Sequence, residues 1–493
     1  MNMKLKQLLK PLKFYKCEQN IHDIEAEGIE MDSRQVKAND LFVCIDGFTV
    51  DGHDFAEMAE MQGACAVVAE RPLSLNIPVI IVNDSVKALA QLANQFYQQP
   101  SEKFQLIGVT GTNGKTTLTY LLDEIFRNHG HETGLLGTIQ MKIGDETYPV
   151  KNTTPDSLFL QKNLHKMVEK DVNTVMMEVS SHALDLGRVY GLDFDITVFT
   201  NLSQDHLDYH KNMDDYLRAK SLLFAQMGNQ YYSRRKLAVL NYDDDAYDLL
   251  SRSTAHEVLS YGLSDGADVQ AKNIMLRPDG TTFDMITPIG EIQIQSKLAG
   301  EFSVYNMLAA SSAAISADIP LETIKTSLAT TNGVPGRFEP VQRGQKFGVI
   351  VDYAHTPDSL ENVVKTVQTF TEGKTYVVVG CGGDRDRGKR PKMANVAVNY
   401  SDLAIFTSDN PRTEDPDQIL QDMTEDLKVQ NYEVEPDRKQ AIARAVQYCN
   451  PGDVVIIAGK GHETYQEIGT ERFDFDDREV ASNMIDEKLK ERS

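Results

Sequence analysis

A glycine- and threonine-rich run at residues 108–117 has the residue types of a phosphate-binding loop. It reads Gly-Val-Thr-Gly-Thr-Asn-Gly-Lys-Thr-Thr, follows the apolar segment 104–107 and precedes apolar residues at helical spacing. A glycine-rich turn between a strand and a helix directs backbone N–H groups and the positive helix end toward an anion. Lys115 can add a point charge to nucleotide phosphates, and the Thr116 hydroxyl suits Mg²⁺. The run therefore predicts ATP-type phosphate binding.

The loop departs from the standard spacing G-x-x-x-x-G-K. Val109 stands where the first glycine would be, and the glycines lie at 108 and 111 instead. A glycine-rich turn that happens to adjoin a lysine is the alternative. The order of strand, loop and helix favours the phosphate site over that alternative.

Polar or glycine-rich clusters follow four apolar runs in the last third of the chain. The apolar runs are 349–352, 376–379, 403–406 and 454–457, and the clusters are 352–355, 380–385, 408–412 and 459–463. In open α/β sheets, ligands bind at the carboxyl ends of the strands. Turn chemistry could account for any one cluster. Four of them predict a common crevice.

Three further residues are candidates from their local sequence. Glu178 ends a predicted strand and could hold Mg²⁺ as a Walker-B acid does, although a strand-end carboxylate is more often solvated. His206 is either a metal or phosphate contact or a surface histidine beside a helix-capping Asp205. Lys220 lies in an amphipathic helix around 215–224, and this pattern alone predicts a solvent-facing side chain.

Strand and helix patterns divide the chain into three parts. Predicted strands before the clusters above are 40–45, 66–69, 79–82, 174–179, 196–199 and 237–240, and a helix is predicted over 85–97. Residues 268–297 alternate and carry Pro278-Asp279-Gly280, which predicts antiparallel strands. Polar or glycine-rich linkers are predicted over 98–102 and 331–336. We expect an α/β fold with a small mixed domain over 1–101, a central P-loop ATPase-like domain with a mainly parallel sheet over 102–331, and a Rossmann-like domain over 332–493.

Composition narrows the function classes. The 50 basic and 73 acidic residues give a net charge of −23, which argues against nucleic acid as the main partner. The five cysteines form no C-x-x-C pair, as in a reducing cytoplasm, and predict neither disulfides nor a zinc site. No signal-peptide core or long apolar stretch is present. We expect a cytoplasmic, monomeric enzyme without a membrane span.

Several motifs together resemble the Mur ligase family. They are residues 111–117, 152–156, 178–182, 201–206, 305–306, 336–339 and 352–355. Within that family the chain is most similar to the ligases that add the third amino acid, and residues 30–34 with Gly47 resemble their uridine-nucleotide site. The resemblance implies that ATP converts the D-glutamyl carboxylate of UDP-MurNAc-L-Ala-D-Glu into an acyl phosphate, which the incoming amine attacks. It also implies a place in peptidoglycan synthesis, and so in cell-wall biogenesis and cell division.

The same resemblance assigns site residues one by one. It implies catalytic roles for Lys115, Glu178, His206 and Lys220, the last as a carbamate. Mg²⁺ would be held by Thr116, Glu178, His206 and carbamylated Lys220. ATP would contact Gly111, Thr112, Asn113, Gly114, Lys115, Thr116, Thr117, Asn306, Arg337 and Asp352. The muramyl dipeptide would contact Ser33, Asn152, Thr153, Thr154, Ser180 and Arg188.

Residues 409–412, Asp-Asn-Pro-Arg, resemble the signature of family members that add meso-2,6-diaminopimelate, whereas lysine-adding relatives usually lack the arginine. Diaminopimelate carries a second carboxylate where lysine has only hydrogen, and a guanidinium can bind that carboxylate in a bidentate pair. The implied contacts are Arg385, Asp409, Asn410, Pro411, Arg412, Gly459 and Glu463.

Three alternatives stay open on the sequence. One is the same reaction with L-lysine. Another is a folylpolyglutamate-synthase-like ligase, against which residues 32–34 and Arg412 argue. The last is a nucleotide-dependent binding protein without catalysis, against which the presence of Glu178, His206 and Lys220 argues.

Overall fold

The computed structural model describes residues 1–47, 50–229, 234–277 and 280–491. The chain divides into two compact units. The first unit contains Met1–Gly108, Gly130–Thr197 and Ala225–Lys236, and the second contains Val109–His129, Val198–Phe224 and Leu237–Ser493. Pro278 and Asp279 of the predicted turn lie outside the described residues. Within the described ranges, every helix is too short or too polar to cross a bilayer.

Several helices begin at a side chain that accepts a hydrogen bond from a free backbone N–H of the first turn. Asp84, Asp156 and Asp437 do so, and Thr356 with Ser359 forms a capping box. The α-helices are Leu5–Leu8, Ala56–Met61, Ser85–Phe96, Lys115–Asn128, Ser157–Glu169, Ser181–Asp185, Met213–Ala225, Tyr247–Ser251, Glu301–Ser316, Leu321–Thr330, Pro357–Gln368, Arg390–Tyr400, Pro416–Thr424, Arg438–Tyr448 and Asp477–Glu491.

The first unit contains a parallel sheet of four strands. Their order is Gly28–Glu30, Asp40–Val43, Ala66–Ala69 and Val79–Ile81. The helices Leu5–Leu8 and Ser85–Phe96 pack their leucine and alanine faces on this sheet. A second group of strands has the order Glu146–Tyr148, Met141–Ile143, Thr133–Leu136 and Thr174–Glu178, of which only the last two are parallel. A short antiparallel pair, Met3–Lys4 and Glu25–Ala26, completes the paired strands described here.

The chain changes from the first unit to the second within two strands, Gln105–Thr110 and Ile196–Phe199. In the second unit the strands Leu237–Asn241, Glu257–Gly262 and Val269–Arg277 are parallel. The strands Gly280–Thr287 and Gly290–Ser296 then continue antiparallel, as the alternation over 268–297 predicts.

The C-terminal part of the second unit is a doubly wound sheet. Its order is Glu339–Pro340, Gly348–Asp352, Val454–Ala458, Thr375–Val379, Leu403–Phe406 and Tyr432–Val434, and only the first pair is antiparallel. Alternate residues of each strand point to opposite faces: Val377 and Ile456 join one apolar core, whereas Val378 and Ile457 join the other. The hairpin Tyr465–Ile468 and Glu471–Asp474 follows the sheet.

The structure confirms the predicted α/β class, the parallel sheets and the Rossmann-like C-terminal part. Each predicted strand is present, and the helix predicted over 85–97 is Ser85–Phe96. The carboxyl ends of four neighbouring strands, at Asp352, Ala458, Val379 and Phe406, precede the four predicted clusters.

Candidate active site

The glycine-rich run at 108–117 forms a loop that leads directly into the helix Lys115–Asn128. Gly111 and Gly114 have φ of +142° and +87°. A Cβ at Gly111 would lie 1.9 Å from Thr200 Oγ1, and one at Gly114 would lie 2.5 Å from Asn306 Oδ1. Both positions therefore require glycine for conformation and for space, although the spacing is not the standard one.

The segment after the strand Ile196–Phe199 anchors this loop. The Thr112 N–H donates to Asn201 O at 2.8 Å, and the Asn113 N–H donates to Asn201 Oδ1 at 2.9 Å. The hydroxyls of Thr112 and Tyr216 lie 3.2 Å apart. The predicted motif at 201–206 thus shapes the phosphate loop itself.

Two lysines converge on one carbonyl oxygen of the loop. Lys115 Nζ donates to Gly111 O at 2.8 Å and to Thr112 O at 2.7 Å. Lys220 Nζ donates to the same Gly111 O at 2.7 Å. Both amines are therefore held at the loop, on the same carbonyl oxygen.

The prediction that Lys220 faces solvent is wrong. Its side chain is 1% exposed and lies 4.3 Å above the centre of the Tyr216 ring. Burial, reinforced by the neighbouring Lys115 charge, lowers the pKa of the Lys220 amine well below its ordinary value. Amphipathic spacing could not show this, because the face of the helix Met213–Ala225 that carries Lys220 is covered by the loop.

Asp205 is a buried carboxylate and does not cap a helix. His206 Nε2, His355 Nε2 and Lys389 Nζ lie 3.4, 3.6 and 3.7 Å from its oxygens. Burial alone would raise the pKa of Asp205, but the nearby His355 imidazole, together with His206 and Lys389, holds that pKa well below its ordinary value. His206 itself has a left-handed φ of +56°, a strained conformation of the kind that functional sites retain.

A cavity of about 390 Å³ adjoins the loop. Asn113, Gly114 and Thr117 line it from the loop side, and Asn306, Arg337 and Asp352 line it from other elements. Six of the residues predicted to contact ATP therefore line the same cavity. Tyr305 and Tyr353 also line it and supply aromatic surface.

Arg337 links this cavity to the loop helix. Its guanidinium donates to Thr116 Oγ1 at 3.1 Å and lies 4.4 Å above the Tyr353 ring. Asp352 Oδ2 accepts the Phe338 N–H at 2.6 Å. Burial raises the pKa of the Asp352 carboxyl above its ordinary value.

Another predicted cluster lies in the first unit. Glu178 is 1% exposed, and its two carboxylate oxygens accept hydrogen bonds from the Thr138 N–H and hydroxyl, both at 2.9 Å. Thr153 Oγ1 lies 3.0 Å from Thr138 Oγ1. Thr154 donates from its hydroxyl to Glu178 O at 2.9 Å. The motifs at 152–156 and 178–182 are therefore joined side by side.

The remaining residues predicted to bind the muramyl dipeptide also lie in this unit. Ser180 donates its N–H to Thr154 Oγ1, and Arg188 donates to Thr154 O, both at 3.0 Å. Asn152 is exposed. Ser33 is buried at the start of a short 3₁₀ turn that Asp32 caps.

Arg412 stands at the rim of the C-terminal cluster in a left-handed conformation, with φ +51°. Its N–H donates to Glu467 O at 3.1 Å, and its NH1 donates to Gly383 O at 2.8 Å. Its Nε lies 3.2 Å from Glu467 Oε2. Two segments of the chain therefore hold the guanidinium in place, and the Arg412 side chain is 22% exposed.

Asn410, Glu463 and Gly459 meet beside Arg412. Asn410 Nδ2 donates to Glu463 Oε2 at 2.8 Å. A Cβ at Gly459 would lie 2.5 Å from Asp409 Oδ2, so only glycine allows this approach. Arg385 is exposed and donates to Asp384 O at 3.0 Å, and Pro411 O accepts the Glu414 N–H at 3.1 Å.

Sequence reasoning assigned no role to three charged residues that contact these clusters. Lys389 faces Asp205, Glu467 pairs with Arg412, and Lys460 is fully buried between Asn410 and Glu463. Only Lys460 lay inside a predicted cluster. The other two come from a 3₁₀ turn and a hairpin that carry no recognisable motif.

Whether Mg²⁺ can bind beside the loop depends on the oxygen ligands that the surrounding residues offer. Mg²⁺ takes oxygen ligands, and the Thr116 hydroxyl offers one. Across the described ranges, no three His, Cys, Asp or Glu side chains come together as a metal-binding group. A carbamate on Lys220 would add two oxygens at a buried position, so the residues fit Mg²⁺ with that modification.

A phosphate loop, a buried lysine beneath it and a doubly wound sheet with polar strand ends are typical of α/β enzymes that use a nucleotide. Three family models match successive parts of this chain: the Mur ligase family catalytic domain over residues 25–97, the Mur ligase middle domain over 109–314, and the Mur ligase glutamate ligase domain over 336–461. The chain belongs to the Mur ligase family, which confirms the resemblance stated above.

Curated relatives and a solved structure agree with this assignment. The chain is 57% identical over 491 residues to UDP-N-acetylmuramoyl-L-alanyl-D-glutamate--2,6-diaminopimelate ligase of Oceanobacillus iheyensis, covering 99% of this chain and 100% of the relative. It is 57% identical over 466 residues to the Bacillus cereus protein of the same name, covering 94% and 95%. A solved structure of a ligase of that name superposes with a TM-score of 0.71 at 33% identity, covering 99% of this chain and 100% of that one.

Proposed function

We propose that this chain is an ATP-dependent ligase that joins meso-2,6-diaminopimelate to UDP-MurNAc-L-Ala-D-Glu. ATP would phosphorylate the D-glutamyl carboxylate, and the amine of diaminopimelate would displace phosphate from the acyl phosphate to form the amide. The family assignment and the names of the relatives support this reaction. The enzyme would supply a peptidoglycan precursor in the cytoplasm.

The observation that carries the choice of amino acid is the position of Arg412. Its guanidinium lies beside the carboxylate of Glu467, and the neighbouring Asn410 contacts Glu463. Opposite charges therefore stand close together. The far end of diaminopimelate carries an ammonium and a carboxylate on one carbon, and this arrangement offers a partner for each. L-Lysine would use only the acidic partner.

The chain's own residues account for activation by ATP. Backbone N–H groups of the loop and Lys115 would bind the phosphates, and Asn306, Arg337 and Asp352 would contact the adenosine part from the cavity wall. The contact from Arg337 to Thr116 places a second cation at the start of the loop helix. Mg²⁺, held by Thr116, Glu178, His206 and carbamylated Lys220, would offset the charge on the phosphates.

The environment of Lys220 supports its carbamylation. Its lowered pKa favours the neutral amine, whose lone pair can add to CO₂. The N–C bond forms and one proton leaves, so an anionic carbamate replaces the neutral amine. The carbamate then places a negative charge beside the positive charge of Lys115. The carbon-13 signal of a carbamate, lost in a Lys220→Met variant, is the expected readout with labelled bicarbonate.

The first unit would bind the muramyl dipeptide through Ser33, Asn152, Thr153, Thr154, Ser180 and Arg188. We propose three domains, over 1–101, 102–331 and 332–493, and a monomer. Limited proteolysis within 98–102 and 331–336, and size-exclusion chromatography with light scattering, test these two proposals.

An omission series tests the reaction. ADP release is expected only when ATP, Mg²⁺, UDP-MurNAc-L-Ala-D-Glu and diaminopimelate are all present, with one new amide in the product by mass spectrometry. ADP release without the amino acid, or without the dipeptide, would contradict the proposed ligase.

A further inference from the structure

Lys460 is a fully buried cation in the C-terminal cluster. It follows Gly459 and is 0% exposed. Its Nζ donates to Asn410 Oδ1 and to Glu463 Oε2, each at 2.9 Å, and lies 5.5 Å from the centre of the Tyr465 ring. Burying an ammonium is costly unless it is paired and hydrogen-bonded. The two pairings that offset this cost involve two of the predicted substrate contacts.

Lys460 sets the orientation of the Asn410 amide. Asn410 Oδ1 accepts from Lys460 and also from the Glu467 N–H, at 2.9 Å. A carbonyl oxygen has two lone pairs, and both are used here. Asn410 Nδ2 spends one hydrogen on Glu463 Oε2. The amide can therefore offer a substrate only its remaining N–H, a donor suited to a carboxylate.

Lys460 also determines what Glu463 presents. Glu463 Oε2 accepts from both Lys460 and Asn410, whereas Oε1 has no hydrogen-bond partner in the part of the chain that the structure describes. Oε1 is thus available to an ammonium. Because Lys460 balances the charge of Glu463, the pair as a whole is neutral. The neighbouring Glu467 is balanced as well, by Arg412 at 3.2 Å and Arg472 at 3.9 Å.

We propose that Lys460 is a positioning residue that determines specificity: by orienting Asn410 and neutralising Glu463, it makes the site prefer a zwitterionic end over a cationic one. The inference rests on the proposed function. The far end of diaminopimelate is neutral, and its carboxylate can meet Arg412 while its ammonium meets Glu463 Oε1. The far end of lysine brings an ammonium without that carboxylate, so it adds a net positive charge beside Arg412 and Arg472.

The test is the Lys460→Met variant, measured with meso-diaminopimelate and with L-lysine. Glu463 then carries an unbalanced charge and Asn410 can turn. The KM for diaminopimelate should rise about 10- to 100-fold. The kcat/KM for lysine should stay equal or rise, and the KM for ATP should not change. An equal fold decrease in the kcat/KM for diaminopimelate and for lysine would overturn the proposal, since a merely structural role predicts that result.

Two further variants keep the test interpretable. The double variant Lys460→Met, Glu463→Gln removes both charges. Any increase in the kcat/KM for lysine should therefore disappear, while the KM for diaminopimelate should stay high. Lys488→Met removes another buried lysine, whose Nζ donates to Val446 O at 2.6 Å and Gln447 O at 2.9 Å, and should leave the amino-acid preference unchanged. If the unaltered enzyme uses neither amino acid, the proposed function fails. If it uses diaminopimelate and Lys460→Met keeps the same preference, only this inference fails.

Discussion

Replacing Arg412 by alanine should weaken diaminopimelate binding selectively. Arg412 is held by its own backbone bond to Glu467 and by its contact with Gly383 O, so its guanidinium is already placed before a ligand arrives. A substrate carboxylate would lose a bidentate partner in the variant. Glu467 would keep the nearby Arg472, whose Nε lies 3.9 Å from Glu467 Oε1. The loss should therefore fall on the substrate.

The size of the effect follows from the geometry. Hydrogen bonds to charged groups contribute about 1.5–3 kcal/mol each, and a bidentate pair makes two. The Arg412 side chain is 22% exposed and already pairs with Glu467, so water and that carboxylate weaken its interaction with a ligand. A loss of about 2–4 kcal/mol is expected, which corresponds to a KM increase of roughly 30- to 1,000-fold.

The assay is amino-acid-dependent ADP release at saturating ATP and muramyl dipeptide. Arg412→Ala should raise the KM for diaminopimelate and leave the kcat/KM for L-lysine nearly unchanged, because lysine lacks the second carboxylate. Arg472→Ala is the matched control, since it removes the other guanidinium beside Glu467, at a position that is 61% exposed. An unchanged KM for diaminopimelate in Arg412→Ala, or an equal change in Arg472→Ala, would refute the reasoning.

Three further outcomes are expected. Lys220→Met should abolish ADP release while thermal unfolding shows an equal or higher Tm, because a buried amine is replaced by an apolar group; a large drop in Tm would contradict this. Burial lowers the pKa of His462 from 6.5 to about 3, so between these values the unfolded chain binds more protons and stability falls as pH falls, by up to about 1.4 kcal/mol per pH unit. Urea unfolding at pH 7 and pH 5 should show that the free energy of unfolding depends less on pH in His462→Phe than in the unaltered chain. The same dependence in both proteins would contradict this prediction. Gly459→Ala, whose Cβ would lie 2.5 Å from Asp409 Oδ2, should raise the KM for diaminopimelate at least ~10-fold. Gly344→Ala, also at positive φ but with open space around it, should leave that KM unchanged. An equal rise in both variants would show that the clash with Asp409 is not the cause.

Local patterns predicted most of the fold. Short apolar runs such as 376–379 and 454–457 are strands because both faces are covered, and their continuous hydrophobicity is the signal of a buried parallel sheet. Polar clusters at the ends of such strands identified the C-terminal site before any geometry was known. The order of strands in each sheet depends on long-range pairing, which periodicity does not report.

The environment of charged side chains was not predictable. Lys220 has the spacing of a surface lysine, yet tertiary packing of the loop buries it and lowers its pKa. The local sequence is compatible with Asp205 as a helix cap, but His355 and Lys389, both distant in sequence, surround it. Lys460 lay inside a predicted cluster without a role, because only distances show that it joins Asn410 to Glu463. Resemblance to known motifs could identify the candidate site residues, whereas the burial and the ion pairs of their side chains follow only from the three-dimensional structure.

The most direct test of the account compares meso-diaminopimelate with L-lysine on the unaltered enzyme. Initial rates of ADP release at saturating ATP and UDP-MurNAc-L-Ala-D-Glu give the kcat/KM of each. We expect a clear preference for diaminopimelate that depends on Arg412, and a product that contains diaminopimelate by mass spectrometry. Equal kcat/KM values, or a preference for lysine, would contradict the claim that this cluster selects an amino acid with a second carboxylate.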